Sequence, residues 1–249
     1  MKKYFAAIAI LVSLTAISQT PTVVNRNLAW GICQAEYERN KHISAALDMQ
    51  VRYEYTDGDM FQWLIRPSVT YKSSKGWQFV LGFARFQLYP NPNGLVPRPE
   101  WRPWQEVARK FKLGHHHILH PKIRFEERFI KGYIEDGLDD HFTHFSDRVR
   151  IRTDYKFLTG ENGEGHLFFL AGDELFFQRY DDGFTNFDQN RAWIGVGYKF
   201  NETITVQTSY MHLYQQTNSS LFTQFHIVRL AVLLSFKRKT EEPAGGSNQ

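Results

Sequence analysis

The stretch HISAALDMQVRYEY, residues His42 to Tyr55, alternates between apolar and polar side chains, with Ala46 as the one neutral exception among its polar positions. Successive side chains of a β-strand point to opposite faces, so the pattern predicts a strand with one apolar and one polar face. The apolar face carries Met49, Val51 and Tyr53, and the polar face carries Gln50, Arg52 and Glu54. A closed barrel whose apolar face meets lipid satisfies such a strand.

The same alternation recurs along the chain and predicts an all-β fold. We expect strands near 28–38, 41–56, 60–72, 76–89, 99–113, 118–131, 146–158, 165–178, 187–200, 203–214 and 222–236. Short turns alternate with longer connections at 90–98, 132–145, 179–186 and 215–221, an asymmetry typical of outer-membrane barrels. The sequence therefore predicts an antiparallel up-and-down transmembrane β-barrel of about 10–12 strands.

Whether the number of strands is odd or even determines how the barrel closes. An odd number of strands leaves the two termini at opposite ends, whereas bacterial single-chain barrels have even numbers. We therefore expect twelve strands, with Thr20 to Asn27 supplying the additional one. The alternative is that one of the eleven predicted strands is spurious.

The two ends of the chain differ from its centre. Lys2 and Lys3 precede a mostly apolar stretch, Phe5 to Ile17, which predicts a cleaved signal peptide over residues 1–18. The barrel domain is expected over 19–237, and the polar segment 238–249 is expected to be a disordered tail. Export by the signal peptide predicts localisation to the cell outer membrane.

A soluble barrel with its apolar face inward is the alternative, because alternation alone fits both. Several predicted strands are longer than the ~9–11 residues that cross a bilayer. The chain also contains 21 Phe, 12 Tyr and 6 Trp, which suit the aromatic girdles of a membrane barrel. These features favour the outer-membrane barrel.

Several short motifs occur in an order that resembles a known family. They are Trp30, Arg66 to Tyr71, Leu81 to Phe83, Glu100 to Glu106, Arg124 to Arg128, Arg148 to Arg152, Gly172 to Phe176, Phe187 to Arg191, and Gly195 to Tyr198. In this order the chain resembles the DUF2490 family of exported bacterial proteins, which are interpreted as outer-membrane β-barrels. The resemblance implies a fold and a location but no activity and no functional residue.

Charged residues on the polar faces are the candidates for the barrel lumen. They are Arg52, Arg66, Glu100, Arg102, Arg124, Glu126, Arg128, Arg148, Arg150, Arg152, Glu174 and Arg191. In one interpretation they pair with each other and only hold the barrel closed. In the other they line a narrow conduit for a small anionic solute, since arginine binds carboxylate and phosphate in bidentate geometry. The ladder of Arg148, Arg150 and Arg152 is then the best candidate contact.

An enzymatic alternative rests on the spacing of His144 and Ser146, which share a strand face and suit an outer-membrane lipid esterase. No oxyanion-hole motif accompanies the pair, so a non-enzymatic protein is favoured. The histidines 115–117 with His120, and the acidic residues 135–140, lack the spacing of a metal site. We expect no metal and no cofactor.

A net charge of +4 does not indicate that the protein binds nucleic acid. The expected partners are outer-membrane lipid, a small anionic solute and the barrel-insertion machinery.

Overall fold

The computed structural model describes residues 22–55, 58–89, 96–134, 137–179, 185–217 and 221–238. The predicted signal peptide, and the predicted tail beyond residue 238, lie outside these ranges. Within them, no helix is long and apolar enough to cross a membrane. The strands are β1 (Thr22–Glu38), β2 (Ile43–Glu54), β3 (Asp59–Lys72), β4 (Trp77–Leu88), β5 (Arg98–Arg109), β6 (Phe111–Leu113), β7 (His117–Ile134), β8 (Gly137–Leu158), β9 (Leu167–Arg179), β10 (Thr185–Lys199), β11 (Ile204–Gln216) and β12 (Leu221–Lys237), with a short 3-10 helix at Glu161–Gly163.

The strands form a closed barrel, which confirms the predicted fold class. Neighbouring strands pair in an antiparallel meander from β1 to β5 and from β7 to β12, and β5 pairs with β7. The barrel closes between β1 and β12, which run parallel over 17 consecutive residue pairs, from Thr22 opposite Leu221 to Glu38 opposite Lys237. We call this parallel pairing the seam.

Two details of the prediction need correction at the seam. The barrel has eleven strands in the described part of the chain, because β6 is a three-residue extension that pairs only with β7. Residues 22–27 do not form a separate twelfth strand but are the first part of β1. In an antiparallel meander, an odd number of strands makes the first and the last run in the same direction. The closing pair is therefore parallel.

The long connection predicted at 132–145 is also wrong. β7 continues to Ile134 and β8 begins at Gly137, so the two strands form a hairpin that extends past the neighbouring strands. The register between them shifts after Ile130 and again after Lys131. A bulge adds an unpaired residue and reverses which face the next side chains occupy, so the period-two pattern disappears from the sequence while the ladder continues.

The two faces of β2 follow the predicted assignment. Met49, Val51 and Tyr53 point outward and are 41%, 52% and 42% exposed. On the other face, Arg52 is half-buried and Glu54 is 2% exposed inside the barrel. The same arrangement holds around the barrel, where Leu81, Ile123 and Ile194 lie on the outer surface. The protein therefore has an apolar exterior and a charged interior.

Large aromatic rings fill part of the interior by lying over glycines of adjacent strands. A methyl group built on Gly82 would approach the Trp104 ring to 2.3 Å, and one on Gly172 would approach the Trp193 ring to 2.2 Å. Trp104 and Trp193 are 5% and 6% exposed. The glycines thus allow each indole to lie flat against the barrel wall, as in other curved sheets.

Three hairpins carry the same histidine arrangement at the end of the barrel where β2 begins. The ring Nδ1 of each histidine donates to the backbone carbonyl of a residue on the adjacent strand, and the ring stacks on the aromatic side chain that precedes that residue. The sets are His42 with Lys72 and Tyr71, His116 with Leu158 and Phe157, and His166 with Lys199 and Tyr198. We call this the turn end, and the opposite end, where β1 begins, the loop end.

The parallel seam can be tested with the native cysteine. Cys33 on β1 lies opposite Val232 on β12, and both side chains are on the outer face. We expect Val232→Cys to react with dibromobimane as an intramolecular cross-link, because paired positions on adjacent strands are ~5 Å apart. The fluorescence of the doubly reacted probe reports the cross-link.

Val206→Cys is the matched control, because Val206 pairs with Val232 on the side away from Cys33. It should give two singly labelled thiols and no cross-link, since two strand spacings separate it from Cys33. A cross-link in Val206→Cys with none in Val232→Cys would contradict the parallel closure.

Candidate functional site

All twelve of the predicted lumen residues lie on inward faces. Most of them line one internal cavity of about 480 Å³, whereas Glu100, Arg124 and Glu126 lie behind its wall. A cavity of this size is in the range that holds a small molecule. The cavity has two chemically different walls. We call the inward face of β5, β7, β8 and β9 the paired wall, and the inward face of β10, β11, β12, β1 and β2 the seam wall.

Glu126 is the centre of the paired wall. Its carboxylate accepts hydrogen bonds from Arg148 at 2.6 and 3.1 Å and from Arg150 at 2.5 Å. Arg150 also donates to Glu174 at 2.6 Å, and Arg148 donates to Asp188 at 3.1 Å. Glu126 is 2% exposed, so its charge depends on these two guanidinium groups.

Three further arginines of the paired wall are neutralised in the same way. Arg152 holds Asp154 with two hydrogen bonds of 2.6 and 2.9 Å. Arg102 and Arg128 share Glu100, which is fully buried, at 2.5 and 2.6 Å. The ladder of Arg148, Arg150 and Arg152, which the sequence favoured as the contact for a solute, is therefore fully engaged with carboxylates of the barrel.

Arg52 on the seam wall has only neutral partners. Its Nη1 donates to Gln62 at 2.5 Å and its Nη2 donates to Gln50 at 3.0 Å. Its guanidinium carbon lies 3.9 Å from the centre of the Trp30 ring. Among the described residues, no carboxylate oxygen lies within 4.0 Å of this group, and its Nε has no hydrogen-bond partner.

Arg229 and Arg191 complete the cationic part of the seam wall. Arg229 donates to the hydroxyl of Ser209 at 2.9 Å and lies 5.2 Å from the Trp193 ring. Arg191 donates to Gln189 at 2.8 Å, and its nearest carboxylate oxygen, on Glu174, is 4.0 Å away. Three guanidinium groups thus face the cavity with little or no negative charge beside them.

The seam places these groups next to one another. Trp30 is opposite Arg52 on β2 and opposite Arg229 on β12, so one indole separates two cations across the closing strands. Arg191 also contacts the Trp30 ring, with its guanidinium carbon 5.7 Å from the ring centre. Arg229 is not among the predicted lumen residues, and Trp30 was named only as a motif of the family resemblance. The alternation of 222–236 would have placed Arg229 inside, but only the register of the seam brings it beside Trp30.

The structure does not assemble the predicted catalytic pair. Ser146 is 8% exposed and lies on the inward face, whereas His144 is exposed. The hydroxyl of Ser146 has no hydrogen-bond partner among the described side chains, so His144 is not placed to remove its proton. The esterase hypothesis therefore gains nothing from this geometry.

The histidines that suggested a metal site are separated by other contacts. His117 bonds the hydroxyl of Tyr155 at 2.6 Å, and His120 bonds the amide of Gln78 at 3.2 Å. Over the ranges that the structure describes, no three His, Cys, Asp or Glu side chains are grouped to hold a metal ion. Glu135 and Asp136 of the acidic segment lie outside those ranges.

The paired wall predicts a large stability effect at its centre. Glu126→Gln should lower the free energy of unfolding by about 3–5 kcal/mol, because it leaves two buried guanidinium groups with an incomplete set of anionic partners. Urea unfolding of the protein in lipid vesicles, followed by tryptophan fluorescence, measures the change.

Glu202→Gln is the control, because Glu202 forms an exposed pair with Lys237 at 3.9 Å. Its effect should stay below ~1 kcal/mol. Equal effects of the two substitutions would show that the buried network does not hold the barrel together.

Comparisons with known proteins identify the family of this chain. No curated protein matches the chain. A loop-deletion mutant of OmpT, an outer membrane protein of Vibrio cholerae, is 16% identical, with a TM-score of 0.41 over 72% of this chain and 59% of that one. The β domain of the Bordetella autotransporter BrkA is 12% identical, with a TM-score of 0.41 over 76% and 78% of the two chains. The family model described as "Protein of unknown function (DUF2490)" matches residues 27–224, so the chain belongs to the DUF2490 family.

Proposed function

We propose that this protein is a barrel of the bacterial outer membrane, reached by export with a cleaved signal peptide. The outer surface supports the proposal, since Leu81 and Ile194 are 67% and 66% exposed on the outside of a barrel whose interior holds buried charged groups. Contiguous apolar surface of this kind is unfavourable in water but suits lipid. Outer-membrane lipid and the barrel-insertion machinery are the partners that this location implies.

We further propose that the barrel admits a small anionic solute. The observation that supports this is the excess of guanidinium groups on the seam wall, where Arg52 and Arg229 face the cavity without a carboxylate within 4.0 Å among the described residues. An anion that enters the cavity replaces the missing negative charge, and arginine suits carboxylate and phosphate.

A purely structural role accounts for only one of the two walls. The ion pairs of the paired wall satisfy each other and stabilise the closed barrel. Unneutralised cations such as Arg52 do the opposite, because burying a charge without its partner is costly. Residues that oppose stability in this way are typical of functional sites. With eleven strands the lumen is narrow, since wide aqueous channels need ~16 strands.

Conduction tests the proposed function. We expect purified protein in a planar bilayer to give single-channel currents whose reversal potential under a KCl gradient shows a preference for chloride. The double substitution Arg52→Gln and Arg229→Gln should shift the reversal potential toward that of a non-selective pore, because it removes the uncompensated charge from the cavity.

Lys237→Gln is the control, because Lys237 is exposed at the turn end and does not line the cavity. It removes one positive charge and should leave the selectivity unchanged. A protein that inserts but never conducts, or a double variant with unchanged selectivity, would contradict the proposal.

A further inference from the structure

The cavity has an apolar part as well as a cationic part. Its apolar lining is formed by side chains from four strands, which we call the apolar collar. The collar consists of Leu28, Phe61, Met211, Leu213 and Phe225. Leu28, Met211, Leu213 and Phe225 belong to one buried cluster that also contains Trp30, and Phe61 packs against it.

The collar lies on the loop-end side of Arg52 and Arg229. On β1, Leu28 is one inward position closer to the loop end than Trp30. On β12, Phe225 precedes Arg229 by two inward positions, and β12 starts at the loop end. Along the axis of the barrel, an apolar ring is thus followed directly by a cationic one.

The cationic ring offers free donors beside this apolar surface. Arg52 and Arg229 donate to amide and hydroxyl oxygens, which are weaker acceptors than a carboxylate. Exchange of such neutral partners for an anion is favourable, whereas the guanidinium groups of the paired wall would have to leave existing carboxylates. The seam wall is therefore the part of the cavity where the binding of an anion is most favourable in free energy.

We infer that the cavity binds a monoanion with an apolar body, such as a medium-chain or aromatic carboxylic acid. The apolar body contacts the collar, and the carboxylate contacts the guanidinium groups of the seam wall. This inference rests on the proposed access of an anionic solute to the barrel and narrows the class of that solute. A small hydrophilic anion would leave the collar in contact with water, and a neutral apolar molecule would leave the guanidinium groups unpaired.

Binding measurements with three matched probes test the inference without any mutation. The protein is placed in lipid nanodiscs, and empty nanodiscs correct for partitioning of the probe into lipid. Titration calorimetry then compares octanoate with acetate, which lacks the apolar body, and with octanamide, which lacks the charge. We expect octanoate to bind at least roughly tenfold more tightly than either, since buried methylene groups and charge-assisted hydrogen bonds both contribute to the affinity.

Substitutions then locate the two parts of the site. Arg229→Gln should weaken the binding of octanoate roughly tenfold and leave octanamide unchanged, because only the carboxylate uses the charge. Met211→Gln should weaken both octanoate and octanamide, because it makes the collar polar. Lys237→Gln, outside the cavity, should change none of the affinities.

Three results would overturn the inference: equal affinity for octanoate and acetate, equal affinity for octanoate and octanamide, or no binding of octanoate to the folded protein. These results are separable from those of the bilayer experiment. Anion-selective currents without octanoate binding would leave the proposed function standing and remove the inference. Binding of octanoate by a protein that does not conduct would remove the conduit and leave a binding site.

Discussion

The parallel pairing of β1 with β12 is the constraint on which the rest of the structure depends. A sheet with free edges exposes unpaired backbone groups, which lipid cannot satisfy, so a barrel in a membrane must close completely. Eleven strands in a meander leave the first and the last parallel, and the chain accepts this pairing over the whole length of β1. The alternative, a twelfth strand, would have required a turn within residues 22–27, where the ladder instead continues without a break.

The seam also determines the chemistry of the interior. Because β1 and β12 are neighbours only through closure, Arg52 and Arg229 flank the same position of β1, Trp30, although they are far apart in the chain. Both guanidinium groups pack on indole rings, an arrangement that partly offsets the cost of an unpaired cation. On the other side of the lumen, Glu126 brings arginines of one strand into a saturated network. Most arginines held by carboxylates thus lie on the paired wall, whereas Arg52 and Arg229 of the seam wall are held by amides and a hydroxyl.

The sequence was sufficient to predict the positions and faces of most strands, because alternation is a local property. Alternation places Met49 and Arg52 on opposite faces, and strand length and aromatic content then predict that Met49 faces outward. The predictions that were wrong concern features that depend on pairing between strands distant in the sequence. The hairpin at 132–145 was missed because two bulges interrupt the period, and the seam was missed because nothing local marks 22–27 as part of β1. Whether an arginine pairs with a carboxylate also depends on the register between strands. The sequence alone therefore could not distinguish the ladder at Arg148 to Arg152 from Arg52.

The order of the inward-facing groups along the barrel axis bears on both the binding and the proposed passage of an anion. From the loop end, β1 presents Arg26 paired with Glu54, then the collar, then the row of Trp30, and then neutral Gln34. Lys110 and Lys156 line the cavity further toward the turn end, and among the described residues neither has a carboxylate within ion-pair distance. On the proposed conduit, an anion that leaves the three arginines meets these two lysines, while Asp154 of the same lining is neutralised by Arg152 and Lys122. Passage requires sites that bind well enough to admit a solute and weakly enough to release it to the next. Cations packed on aromatic rings rather than held by carboxylates, such as Arg52 on Trp30 and Lys156 on Phe168, suit both requirements.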